Sequence, residues 1–207
     1  MDIKLKQLGK RYKFEWIFRN LDFDFQNGNA YAILGANGSG KSTLLKVLSG
    51  HASHSKGTID FYSQNEKIAI DKVYHQLSYA APYIELIEEL TLIEVLQFHQ
   101  KFKTFQNNLT VNDLIDILNF SKSKHKEVRF FSSGMKQRLK LILAICSDTD
   151  YLLLDEPTTN LDNQGVNWYQ ELIDRFAKNR LTIVASNIEH DYEFCSKTLN
   201  IMDFKKK

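Results

Sequence analysis

Cysteine and proline are each present only twice in the 207 residues, as Cys146 and Cys195 and as Pro82 and Pro157. Two thiols cannot build a disulfide framework, and so few suit a reducing compartment. No stretch rich in Pro, Gly or Ser divides the chain, there is no internal repeat, and the only low-complexity segment is Lys205-Lys206-Lys207. That tail reads as a solvated end, with contact to anionic lipid as the alternative. Residues 1–11 alternate charged and apolar side chains without a continuous apolar core, unlike a signal peptide. The longest apolar runs, residues 139–146 (broken by Lys140) and 151–154, fall far short of the ~20 residues of a membrane span. Neither charge sign dominates: 27 Lys and Arg against 25 Asp and Glu leave +2, which argues against binding nucleic acid through bulk positive charge. The six histidines show no metal-ligand spacing with the cysteines, so a structural zinc site is not expected.

What is present is core material: 43% hydrophobic and 12% aromatic residues, in a chain of one-domain length. Ile3 and Leu5, then Tyr12, Phe14, Trp16 and Phe18, then Leu21, Phe23 and Phe25 alternate with polar residues and predict strands. Residues 30–34 form a short apolar strand, 41–48 a helix closed by Gly50, and 58–62 another strand. From about residue 84 to 146 the period changes. Leu92, Val95, Leu96 and His99, then Val111, Leu114, Ile115 and Leu118, then Leu139, Ile142, Leu143 and Cys146 stand three and four apart, as on amphipathic helices. Strands at 151–154 and 181–185, apolar on both faces and separated by a helix over 166–178, predict a parallel sheet covered on both sides. The expected class is α/β, with an antiparallel start and a helical insertion.

Between the strand at 30–34 and the helix at 41–48 lies Gly35-Ala36-Asn37-Gly38-Ser39-Gly40-Lys41-Ser42, followed by Thr43. It matches G-x-x-x-x-G-K-[ST] in the context that motif requires. Its glycines let the backbone wrap closely around phosphate and present successive N–H groups, and the helix dipole points at the same anion. Lys41 is expected at the β- and γ-phosphates of ATP, and the Ser42 hydroxyl on Mg²⁺. A second element, Tyr151-Leu152-Leu153-Leu154-Asp155-Glu156, is a buried strand ending in two carboxylates. Strand ends of a parallel sheet open onto one crevice, which sets Asp155 toward Mg²⁺ and Glu156 toward the attacking water.

Phe131-Ser132-Ser133-Gly134-Met135-Lys136-Gln137-Arg138 then resembles the ABC signature L-S-G-G-Q followed by Gln-Arg. Over almost its whole length the chain is similar to the nucleotide-binding subunit of ABC transporters. The resemblance implies a P-loop NTPase of ABC ATPase type: one domain over 1–207, with a nucleotide-binding core at about 1–83 and 147–207 and a helical subdomain at about 84–146. It implies that Ser132, Ser133 and Gly134 meet ATP held at the Lys41 of a second ATPase subunit, identical or closely related. Asn160-Leu161-Asp162 looks like the loop that crosses that interface. Tyr12, 29 residues before Lys41, stands where the family stacks an aromatic ring on adenine, and Phe14 or Trp16 offers the same chemistry.

Two family residues are replaced. Pro82 occupies the Gln position of the linker into the helical region and lacks both a side-chain oxygen and an N–H; Tyr83 or Glu85 is available to substitute, Glu85 with the better chemistry. Asn187 stands for the His after the strand at 181–185, and it offers a neutral hydrogen bond but no proton. His190 is close by in sequence. These changes bear on hydrolysis more than on binding. The resemblance implies an ATPase that powers a membrane permease on a separate chain, docked against residues 79–89, with the ATPase peripheral on the cytoplasmic face of the cell membrane. Alternatives are a soluble ABC ATPase uncoupled from transport and a slowly hydrolysing ATP-dependent dimerisation switch.

Overall fold

The computed structural model describes residues 1–64 and 66–205. Lys206 and Lys207 of the basic tail therefore lie outside the described residues. A parallel sheet orders its strands β6 (Leu77–Ala80), β7 (Tyr151–Asp155), β8 (Leu181–Ala185), β3 (Ala30–Leu34) and β9 (Lys197–Asn200). An antiparallel sheet orders β2 (Glu15–Phe25), β1 (Asp2–Tyr12), β4 (Lys56–Ser63) and β5 (Glu66–Ile68). Helix α1 (Lys41–Leu48) follows β3; α2 (Leu92–Gln100), α3 (Val111–Leu118) and α4 (Ser133–Ile145) lie between β6 and β7; α5 (Asn163–Phe176) joins β7 to β8.

The parallel sheet has two dry faces because β7 and β8 are buried at every position. Leu152, Leu154 and Val184 point into a cluster with α2–α5. Tyr151, Leu153, Leu181 and Ile183 point the other way, into a cluster with α1 and the antiparallel sheet. Alternation along each strand thus serves two cores, and each buried Leu or Ile contributes about 1.5–3 kcal/mol. The helices carry their own start signals. Thr91 and Glu94 form a capping box on α2, Thr110 and Asp113 form another on α3, and left-handed Asn119 closes α3.

The aromatic alternation at residues 12–18 is not one strand. A tight turn at Lys13 and Phe14 splits it into the β1–β2 hairpin, with Tyr12 opposite Glu15. Lys13 adopts a φ of 53° there, and with no Gly, Asn or Pro at the turn the sequence carries no break signal. Strands β5, β6 and β9 are short and unmarked by alternation. β6 and β9 gain their place from pairing with β7 and β3.

Candidate functional site

The phosphate loop leaves β3 and enters α1 through three glycines with positive φ: 147° at Gly35, 72° at Gly38 and 107° at Gly40. A Cβ on Gly35 would lie 2.7 Å from both Ser39 Oγ and Ile201 Cγ2, and one on Gly40 would lie 2.5 Å from Ile17 Cγ2. The loop is therefore packed closely against Ile17 and Ile201, while none of the described residues lies within 4 Å of the Gly38 Cβ position. Its depression, about 190 Å³, is lined by Ile17, residues 37–43 and Glu156. Ala36 accepts the Ser39 N–H at 3.0 Å. Lys41, 5% exposed, donates to the carbonyls of Gly35 (2.7 Å) and Ala36 (3.4 Å). Burial lowers its pKa, while the charges of Glu156 and Asp155 work in the opposite direction.

Asp155 ends β7, buried, beside this loop. Its Oδ2 accepts from the Tyr83 hydroxyl at 3.1 Å, and its Oδ1 is buried without a hydrogen-bond partner among the described residues. Burial raises its pKa above the ordinary 3.8; the Ser42 and Tyr83 hydroxyls beside it oppose that shift, the Glu156 charge adds to it, and Lys41 opposes it. The free Oδ1 and the adjacent Ser42 hydroxyl are hard oxygen donors of the kind Mg²⁺ takes alongside nucleotide phosphates. Glu156 sits in a left-handed conformation, φ 44°, held by its N–H on the Ala185 carbonyl at 2.9 Å. That turns the chain sharply at the strand end and sets Glu156 on the rim of the loop depression.

Asn187, following β8, donates its amide to Asn37 Oδ1 of the phosphate loop at 2.7 Å. His190 bonds Thr158 instead, at 3.0 Å. Behind both lies a node that periodicity and motif matching do not reveal. The fully buried carboxylate of Asp191 accepts from Thr158 Oγ1 and Ser186 Oγ, each at 2.5 Å, joining the loop after β7 to the loop after β8. Lys205 Nζ also reaches the loop, 3.4 Å from the Gly38 carbonyl.

Ser132 caps α4, its Oγ accepting the Met135 N–H at 3.2 Å. With Ser133 and Gly134 it lines a separate groove of about 360 Å³ that also holds Phe120, Arg138 and residues 160–162. This groove and the phosphate-loop depression share no lining residue. Tyr12 is 51% exposed at the hairpin tip, with Lys10 Nζ 4.8 Å from its ring centre, and Phe14 is 95% exposed. Neither lines the loop depression, whereas Ile17 does. Glu85 lines a third groove, with residues 82–86, Glu88, Lys136 and Lys140, and it is Tyr83 that touches Asp155.

A glycine loop between strand and helix, with a carboxylate ending another strand of the same parallel sheet, defines a P-loop nucleotide-binding fold. The family described as ABC transporter matches residues 18–159. The lantibiotic transport ATP-binding protein SrtF of Streptococcus pyogenes is 30% identical over 206 residues, 93% of this chain and 84% of SrtF. The bacitracin transport ATP-binding protein BcrA of Enterococcus faecalis is 27% identical over 97% of this chain and 66% of its own length. The chain likewise spans 66% of the uncharacterized ATP-binding protein YcbN of Bacillus subtilis, at 27% identity. Among solved structures, a putative ABC transporter ATP-binding protein of Pyrococcus furiosus superposes with a TM-score of 0.82 over the whole of both chains at 20% identity. The ATP-binding cassette MJ0796, as a dimer bound to ADP and Pi, gives 0.82 over 96% of this chain and 93% of its own at 19% identity. The chain belongs to the ABC transporter family, as an ATP-binding subunit. Among the described residues no helix is long and apolar enough to cross a membrane.

Proposed function

We propose that the chain binds Mg·ATP at residues 35–43 and hydrolyses it only when the Ser132–Gly134 face of a second cassette closes over the nucleotide. The observation that carries this reading is the separation of the two grooves. One chain presents a phosphate loop with its carboxylates on one surface and a capped helix N-terminus on another, and neither surface alone encloses a triphosphate. Backbone N–H groups of residues 35–43 and the α1 dipole bind the phosphates, and Lys41 exchanges its two carbonyl contacts for phosphate oxygens. Ser42 and Asp155 hold Mg²⁺, which when bound neutralises charge building on the β- and γ-phosphates. Glu156, set at the rim by its left-handed backbone, orients and polarises the attacking water, a role worth about 10²–10⁴ in rate. Asn187 steadies the loop through Asn37, and Tyr12 is the candidate ring against adenine. The domain division stays as the sequence suggests, with residues 84–146 as the helical part.

The work of the cycle goes to a membrane permease on another chain, and the 82–88 groove with Lys136 and Lys140 is its docking surface, which places the subunit at the inner face of the membrane. SrtF and BcrA are named for lantibiotic and bacitracin transport, so peptide antibiotics are the cargo class to assay first. The Asn187 and Pro82 replacements also favour a second reading, a slow ATP-dependent dimerisation switch. Turnover of the purified chain with and without its permease separates the two. In either case Glu156→Gln retains ATP; equal turnover in that variant and the unsubstituted chain contradicts the role given to Glu156.

A further inference from the structure

Tyr83 stands in the linker between β6 and α2, one residue after a proline that contributes no N–H. Three contacts hold it. Its hydroxyl donates to Asp155 Oδ2 at 3.1 Å, the Tyr79 hydroxyl lies against it, and Lys46 of α1 sits over its ring at 4.0 Å. The phenol therefore bridges the helix that follows the phosphate loop and the strand that carries the metal carboxylate. The preceding residue extends the chain of contacts, because Lys140 of α4 donates to the Pro82 carbonyl at 2.8 Å. At the carboxylate the two oxygens are unequal: Oδ2 is taken by Tyr83, and Oδ1 is buried with no geometric hydrogen-bond partner among the described residues, the Ser42 hydroxyl lying beside the carboxylate.

A carboxylate clamped at one oxygen cannot rotate freely, and it presents the other oxygen in a fixed direction. Groups that orient a metal ligand in this way commonly govern metal affinity by about 10–100-fold. We propose that Tyr83 is the positioning residue of the Mg²⁺ site: it holds Asp155 by Oδ2 so that Oδ1 and the Ser42 hydroxyl face the ion, and through Pro82 and Lys140 it ties that orientation to helix α4. Tyr83 stays a donor to the carboxylate and is not itself a ligand. A shift of the linker relative to α4 would then loosen the carboxylate. This inference rests on the Mg·ATP reading above and deepens it.

The test is the affinity of the full chain for a fluorescent, non-hydrolysable ATP analogue, titrated with Mg²⁺ and measured separately in its absence. Tyr83→Phe keeps the ring and its Lys46 contact but removes the donor. The half-saturating Mg²⁺ concentration is expected to rise about 10-fold or more, while Mg²⁺-free analogue binding stays as in the unsubstituted chain and unfolding remains a single cooperative transition. Tyr79→Phe, which does not touch Asp155, is expected to shift it by less than 3-fold. A Tyr83→Phe titration that overlays the unsubstituted one overturns the proposal, as does an equal loss of binding with and without Mg²⁺. Incorporating 3-fluorotyrosine gives a readout in the unsubstituted sequence: the resonance assigned to Tyr83 should move when Mg²⁺ is added to the analogue complex, and a resonance that stays put counts against the proposal. Should the unsubstituted chain bind the analogue without any Mg²⁺ enhancement, it is the underlying reading of the site that fails, and the two failures are thereby told apart.

Discussion

Around Lys41 the chain has arranged much of what a triphosphate needs: a loop packed against Ile17 and Ile201, a lysine folded onto the loop's carbonyls, and a carboxylate with one oxygen left free among the described residues. Around Ser132 it has arranged a helix start and little else. The Ser132 hydroxyl is spent on its own cap, and the groove beside it is walled by residues 160–162 rather than by any cation of the phosphate loop. On the proposed reading the first surface binds nucleotide, and the second closes over the nucleotide of a partner. If the proposed reading holds, nucleotide affinity depends on the first face and closure on the second, so substitutions should separate them.

The largest separation is expected at Glu156. Glu156→Gln should lower turnover by about 10²–10⁴ while nucleotide affinity changes less than 3-fold, measured by phosphate release beside equilibrium binding. Lys41→Ala should instead remove binding itself, and turnover with it. On the other surface, Gly134→Asp sets a negative charge where the lid meets phosphate. It should leave single-chain ATP affinity within about 3-fold while ATP-dependent association falls at least 10-fold by sedimentation; equal losses in both would erase the distinction between the faces.

A third substitution probes what joins them. The Asp191 carboxylate holds the loops after β7 and β8 through Thr158 and Ser186. Asp191→Ala leaves two buried hydroxyls short of a partner and should cost about 3 kcal/mol of stability in urea unfolding. It should also weaken turnover more than binding, because Glu156 and Asn187 flank those loops. The smallest effect expected is on pH dependence. Burial raises the Asp155 pKa above 3.8 in the nucleotide-free fold. Between the unfolded and the folded pKa the native state binds more protons than the unfolded state, so stability falls as pH rises through that window. Asp155→Asn should flatten this slope and make the nucleotide-free chain somewhat more stable near neutral pH, while Mg²⁺-dependent binding is lost. A slope of opposite sign would show that the charged carboxylate is stabilised in the fold.

Legibility in the sequence followed local chemistry. The strand at 30–34, the loop and α1 could be read because a glycine motif, an apolar strand and a helical period coincide within twenty residues. The residues of β7 and β8 could be read because a strand buried on both faces has nothing else to be. The β1–β2 turn was invisible, since Lys13 and Phe14 carry no turn signature and the alternation runs straight through them. β6 and β9 owe their existence to neighbours far away in sequence, which no local period reports. In the site, Pro82 marked the departure, yet side-chain chemistry favoured Glu85. The fold brings the Tyr83 hydroxyl to Asp155 and puts Glu85 in the groove beside Lys140. Ile17 and Asp191 carry no motif at all; a buried acid between Thr158 and Ser186 is recognisable only once β7 and β8 lie side by side.

The most direct test of a nucleotide shared between two chains is the mass of the Glu156→Gln chain in solution, by sedimentation equilibrium with and without Mg·ATP. The account predicts twice the 24.1 kDa chain mass with Mg·ATP, single-chain mass without it, and single-chain mass under both conditions once Gly134→Asp is added. A chain that holds Mg·ATP yet remains at single-chain mass would contradict it.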